Sequence, residues 1–112
     1  MNPIEVVQQQ FDAYNAQDLN AMLATYAEDC IVADLNGRIL QAGEAEIRAR
    51  YAKTFAEHPQ NSARSVSRMA LGNVVIDHER GQRAPEGPSF EAICIYTVKN
   101  GLIARVDFVR ES

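Results

Sequence analysis

"YAEDCIVADLNGR", residues 26–38, alternates like a strand and then runs into an Asn-Gly turn. A period of two puts Cys30, Val32 and Asp34 on one face and Ile31, Ala33 and Leu35 on the other. Asn36-Gly37 is a strong hairpin signal, because both residues tolerate the positive φ that a tight turn demands. The stretch therefore predicts a strand that turns back on itself, with a short return over 38–41. Asp34 is the odd member of its row. An ionised carboxylate on an apolar face is costly unless it is paired, hydrogen-bonded or neutralised. Asp34 either caps the turn at the rim of the protein or points into a cavity that uses it.

Upstream, Asn2 and Pro3 open a helix, with Glu5 placed to complete a capping box. Ile4, Val7, Phe11 and Tyr14 then recur at helical spacing. "NAQD" breaks the run, and Asp18 caps a second, shorter helix carrying Leu19, Met22, Leu23 and Tyr26. Downstream, Ile47, Tyr51 and Phe55 repeat every fourth residue, predicting a third helix over 44–57 that Pro59 stops.

After Pro59 the pattern changes to strands: "SARSVSRMAL", "NVVIDHERGQR", "PSFEAICIYTV" and "LIARVDFVR". Gly72-Asn73, the Pro/Gly-rich 85–88 and Asn100-Gly101 are short connections, which force antiparallel neighbours. Phe90, Ala92, Cys94, Tyr96 and Val98 share one face, as do Leu102, Ala104, Val106, Phe108 and Arg110. The opposite faces carry Ile93, Ile95, Ile103 and Val109. A sheet apolar on both sides must be covered on both, and three helices suffice for one. The other side is expected to meet a second copy, making a homodimer.

At 112 residues the chain reads as a single domain, 1–112, without repeats or low-complexity segments. Hydrophobic residues at 46% and charged residues at 23% describe a globular protein rather than a disordered one. A net charge of -4 with scattered arginines argues against nucleic acid and anionic membrane surfaces. No apolar run approaches the ~20 residues of a membrane helix, and "MNPIEVVQQQ" lacks a signal-peptide pattern. Cys30 and Cys94 lack CxxC spacing and read as reduced thiols of a cytoplasmic protein. His58 and His78 lack ligand spacing, so neither a metal nor a cofactor is expected.

"QDLNAMLATYAEDCIVAD" (17–34), the following Asn-Gly, Gly43, "IRARY" ending at Tyr51, and the closing "AICIYTVKNGLIARVDFV" (92–109) carry a family resemblance. The chain resembles the nuclear transport factor 2-like superfamily, in its SnoaL-like and ketosteroid-isomerase-like branch. The resemblance implies an α+β fold, a cone-shaped roll in which a curved antiparallel sheet wraps around three N-terminal helices. It also implies a cofactor-independent isomerase or cyclase acting on a small, largely apolar carbonyl compound.

Under that resemblance Asp34 falls where the isomerases carry the carboxylate that moves a proton beside a carbonyl. Tyr26 and Tyr51 fall on two supporting tyrosines. Gln10 replaces the oxyanion-hole tyrosine and Cys94 the protonated aspartate beside it. An enolate oxygen needs preorganised donors. An amide donates less acidically than a phenol and a thiol donates poorly, so steroid isomerisation itself should be weak or absent. Tyr14, one turn beyond Gln10, shares the same space. The expected catalytic set is Asp34, Gln10 and Tyr14. The expected substrate contacts are Phe11, Tyr26, Tyr51, His78, Phe90, Cys94, Val106 and Phe108. Glu91 is expected at the rim or interface, paired with Arg105, and Arg110 at the mouth. The bland counterparts are a turn-capping Asp34, core tyrosines with backbone partners and a satisfied strand histidine. The rival functions are a non-catalytic binder of small ligands and a dimeric interaction module whose cone is filled.

Overall fold

The computed structural model describes residues 1–111. Three helices, α1 (Pro3–Ala16), α2 (Leu19–Leu23) and α3 (Glu44–Glu57), combine with six strands. These are β1 (Tyr26–Asp34), β2 (Ile39–Ala42), β3 (Ser62–Leu71), β4 (Val74–Gln82), β5 (Ser89–Lys99) and β6 (Leu102–Arg110). The capping box at Asn2 and Glu5 is formed, and the Asp18 side chain accepts from the Ala21 N–H, so both helices start where the sequence places them. Asn100 and Gly101 both have positive φ, as a two-residue hairpin turn requires.

The strands form one sheet in the order β2-β1-β6-β5-β4-β3. Every pairing is antiparallel except that of β1 with β6, which run parallel. The sheet is therefore mixed rather than antiparallel throughout. The β1–β2 hairpin joins the sheet beside the last strand, a non-local pairing that no turn could announce. Irregular registers at Val32/Ala33, Ser65/Ser67 and Thr97/Val98 bend the strands, and the sheet curls around the helices.

The core lies between the concave face and the helices: Val6, Val7, Met22, Leu23 and Ile47 from the helices meet Cys30, Val32, Val75, Cys94, Val98 and Val106. The irregularity at Thr97/Val98 changes one assignment. Ile103 pairs with Val98 and is 0% exposed, so it packs inside rather than on the outer face with Ile93, Ile95 and Val109. Strict alternation fails there because the extra residue inverts the facing of the strand beyond it. Ile93 and Val109 remain partly exposed on the outer face. Among the described residues, no helix is long and apolar enough to cross a membrane.

Candidate functional site

A cavity of about 330 Å³ opens between α1, α3 and the concave sheet, at the small end of the range for ligand pockets. Gln10, Phe11, Tyr14, Tyr26, Tyr51, Phe90, Cys94, Val106 and Phe108 all line it, so the structure gathers most of the residues singled out from the sequence. Helical spacing brings Gln10, Phe11 and Tyr14 to one side of α1, and inward alternation brings Phe90, Cys94 and Tyr96 to one face of β5.

Two expected contacts lie elsewhere. Asp34 ends β1 outside the cavity, in a shallow depression with Leu35, Phe108 and Arg110. Its carboxylate accepts from the Arg110 guanidinium at 2.6 Å, with both side chains partly exposed. Arg110 lies at the far end of the chain, where the local pattern of residues 26–38 could not show it as a partner. Asp34 also shapes the turn, its backbone carbonyl accepting from Gly37 N–H at 2.9 Å. His78 faces outward with Val74 and Ile76, and its Nε2 lies 3.0 Å from Glu91. The alternation of β4 turns Val75, Asp77 and Glu79 inward and leaves His78 outside the cavity. Glu91 pairs with Arg80 and His78, while Arg105 pairs with Asp107 instead.

That inward row of β4 brings one acid, Glu79, into the cavity wall and buries another, Asp77. Asp77 is 0% exposed. It accepts two hydrogen bonds from Arg68, at 3.1 Å from Nε and 3.0 Å from the terminal nitrogen, and a third from the Ser65 hydroxyl. Arg68 also donates to Gln8 and lies over the Phe11 ring at 5.6 Å, tying α1 to the sheet. Glu79 lines the cavity, and its Oε2 accepts from the Tyr96 hydroxyl at 3.1 Å.

The two carboxyls are driven apart. Burial pushes Glu79 up to about 8, reinforced by its hydrogen bond to Asp77 and by the charge there. Burial also opposes the charge on Asp77, but hydrogen bonds from Arg68, Glu79 and Ser65 outweigh it and hold that carboxyl below its ordinary value. The pair thus holds one fixed charge and one proton poised near neutrality. Hairpin register was the available signal. The turn at Gly72-Asn73 sets Arg68 opposite Asp77, and the same face then carries Glu79.

Three of the cavity's phenols are held as neutral hydroxyls. Burial raises Tyr51 to about 12 and moves Tyr26 and Tyr96 well above their ordinary value. Tyr14 accepts from Asn61 Nδ2 at 2.6 Å, which leaves its own proton to donate. Gln10 is 4% exposed, and its Oε1 is buried without a hydrogen-bond partner among the described residues. An orphaned amide in a cavity wall calls for a ligand partner, a donor to its oxygen or, with the amide turned about, an acceptor for its NH2. Burial likewise raises both thiols, Cys30 to about 12 and Cys94 further, which makes Cys94 a wall rather than a nucleophile. Among the described residues, no group of three or more His, Cys, Asp or Glu is set to hold a metal.

No curated protein matches the chain. Among solved structures, an uncharacterized cystatin-fold protein from Novosphingobium aromaticivorans is 28% identical, with a TM-score of 0.91 over 98% of this chain and 99% of that one. A protein of Sinorhizobium meliloti provisionally named a polyketide cyclase is 23% identical, with a TM-score of 0.79 over 94% of each chain. Another, of Kribbella flavida, provisionally named a ketosteroid isomerase, is 16% identical, with a TM-score of 0.80 over 96% of this chain and 76% of that one. The last two likenesses concern the fold, which is that of the nuclear transport factor 2-like proteins. The model of the SnoaL-like domain matches residues 7–106, and the chain belongs to that family.

Proposed function

We propose that this protein is a cofactor-independent isomerase- or cyclase-type enzyme that moves a proton beside the carbonyl of a small, largely apolar compound. The observation that carries the reading is Glu79 in the cavity wall, hydrogen-bonded to Tyr96 and poised at about 8, two residues along β4 from the buried Asp77, which is held below its ordinary value. Divergent titration of neighbouring groups is the arrangement proton transfer needs near neutral pH. The ionised fraction of Glu79 takes the α-proton, and the C–H electron pair becomes the enolate. The Gln10 amide, turned to present its NH2, and the Tyr14 hydroxyl donate to the enolate oxygen. Glu79 then returns the proton to carbon. Only protein groups are needed.

This reading gives the proton to Glu79 rather than to Asp34, whose ion pair with Arg110 places it at the rim. The exposed Ile93 and Val109, with Ile95 beside them, support a homodimer through the outer sheet face. The free thiols of Cys30 and Cys94 support a reducing, cytoplasmic setting.

Deuterium incorporation at the α-carbon of simple aryl ketones, followed by NMR in D2O, tests the chemistry. Exchange should rise with pH and level off above an inflection near 8, following ionisation of Glu79. Glu79→Gln should lower it by a factor of at least ~100, the usual scale for losing a general base. Exchange that survives Glu79→Gln but vanishes in Asp34→Asn overturns the assignment.

A further inference from the structure

The protein carries a net charge of -4, yet its cavity is lined by three arginines, Arg50, Arg83 and Arg110. Their partners differ. Arg110 is neutralised by Asp34 at 2.6 Å. Arg50 and Arg83 make no ion pair with a carboxylate among the described residues. Each instead donates to a neutral amide oxygen, Arg50 to Gln41 at 3.0 Å and Arg83 to Asn61 at 2.7 Å. Each guanidinium also lies over an aromatic ring. Arg50 lies 5.0 Å from the Tyr51 centroid and 5.3 Å from that of Phe108, and Arg83 lies 4.7 Å from that of Phe90.

A neutral acceptor orients a guanidinium without cancelling its charge, and a guanidinium has five N–H groups of which these bonds use one. The face of the ring attracts the cation and helps to keep it in place. Two oriented and uncompensated cations therefore stand in the wall of one small cavity. The lining carboxyls do little to offset them. Glu79 keeps its proton to about pH 8, Glu91 is engaged by Arg80 and His78, and Glu111 is on the exposed tail. The same wall holds the Gln10 amide, whose buried oxygen has no partner; turned about, the amide offers its NH2 to an uncharged acceptor such as a ketone.

We infer that the cavity is built for an oxo acid, an aryl or alicyclic ketone bearing a carboxylate. Arg50 and Arg83 hold the acid group, and the uncharged body lies against Phe11, Phe90 and Phe108. The inference rests on the reading of the cavity as a ketone site and adds the charge of its substrate. Binding through charge-assisted N–H···O⁻ bonds selects the anion over any neutral analogue of the same shape.

Calorimetric titration with 4-oxo-4-phenylbutanoate and with its primary amide tests this. The two probes share the ketone, the ring and the chain length, and differ in the charge. The acid should bind the wild-type protein at least ~10-fold more tightly than the amide, the scale of one charge-assisted hydrogen bond. Arg50→Gln and Arg83→Gln should each reduce that preference several-fold, and the double variant should abolish it while amide binding stays as it was. Equal affinity for acid and amide in the wild-type protein overturns the inference without needing any variant. It leaves the proposed function standing if the α-carbon of the bound amide still exchanges. A preference that persists in the double variant also overturns it. Failure of both probes to bind overturns the inference together with the reading of the cavity.

Discussion

Replacing Glu79 by Gln should make the protein more stable at neutral pH and change little in acid. Glu79 has a folded value of about 8 against an ordinary 4.5, because burial and Asp77 disfavour its charge. Its acid form therefore supports the fold fully below pH 4.5, and that support is lost as pH rises through 8. Over this window the unfolded chain sheds a proton that the folded chain keeps. The liability grows to on the order of 3 kcal/mol at pH 7 and about 5 kcal/mol above pH 8, at about 1.4 kcal/mol per unit. Gln has the same shape, keeps an N–H for Asp77 and an oxygen for Tyr96, and does not titrate. Urea unfolding of both proteins at pH 5, 7 and 8.5 reads the difference directly. The gain from Glu79→Gln should be under about 1 kcal/mol at pH 5 and on the order of 3 kcal/mol at pH 7, or roughly 10–20 °C in Tm. A gain that is the same at pH 5 and 8.5, or a loss of stability at pH 8.5, refutes the reasoning. So does an NMR titration of the Glu79 carboxyl carbon with a midpoint at or below 4.5.

Arg68→Met removes both guanidinium bonds to a fully buried Asp77, and should cost about 3–5 kcal/mol in urea unfolding at pH 7, easing as acid protonates the orphaned carboxyl. By contrast, Asp34→Asn loosens an exposed pair with Arg110 and should shift stability by less than about 1 kcal/mol in the same assay. Sedimentation at micromolar concentration should show a dimer, and Ile95→Lys on the outer face should move it to monomer; a monomeric wild type would remove the outer-face interface. Turnover of a 5-ene-3-ketosteroid should be absent or weak, since Gln10 and Cys94 stand where the stronger donors would be, and loss of one such donor costs about 100-fold or more. A Gln10→Tyr, Cys94→Asp double variant is the comparison, and any gain in rate would mark the oxygen site.

Most of the fold is a local matter and could be read from the chain. Asn2, Asp18 and Pro59 mark helix ends by their own hydrogen bonding and backbone limits, and Asn36, like Asn100 with Gly101, takes the positive φ of a hairpin turn. Alternation then identified cavity walls on both strands of the last hairpin, Phe90 and Cys94 on β5 and Val106 and Phe108 on β6. What remained hidden depends on pairs far apart in sequence. The parallel partnership of β1 with β6 brings Arg110 to Asp34 and makes that acid half of an ion pair. A single irregular register at Thr97/Val98 moves Ile103 from surface to core, and no composition signals where a strand will bulge. The pattern of β4 holds two alternating faces, each with acids or a histidine, and nothing local says which one the helices will cover. Tertiary packing made that choice: it buried Asp77, turned Glu79 into the cavity wall and left His78 on the outer face. Because the cost of a buried charge depends on everything within a few ångströms, only the assembled cavity could make Glu79 the carboxyl that titrates near neutral pH.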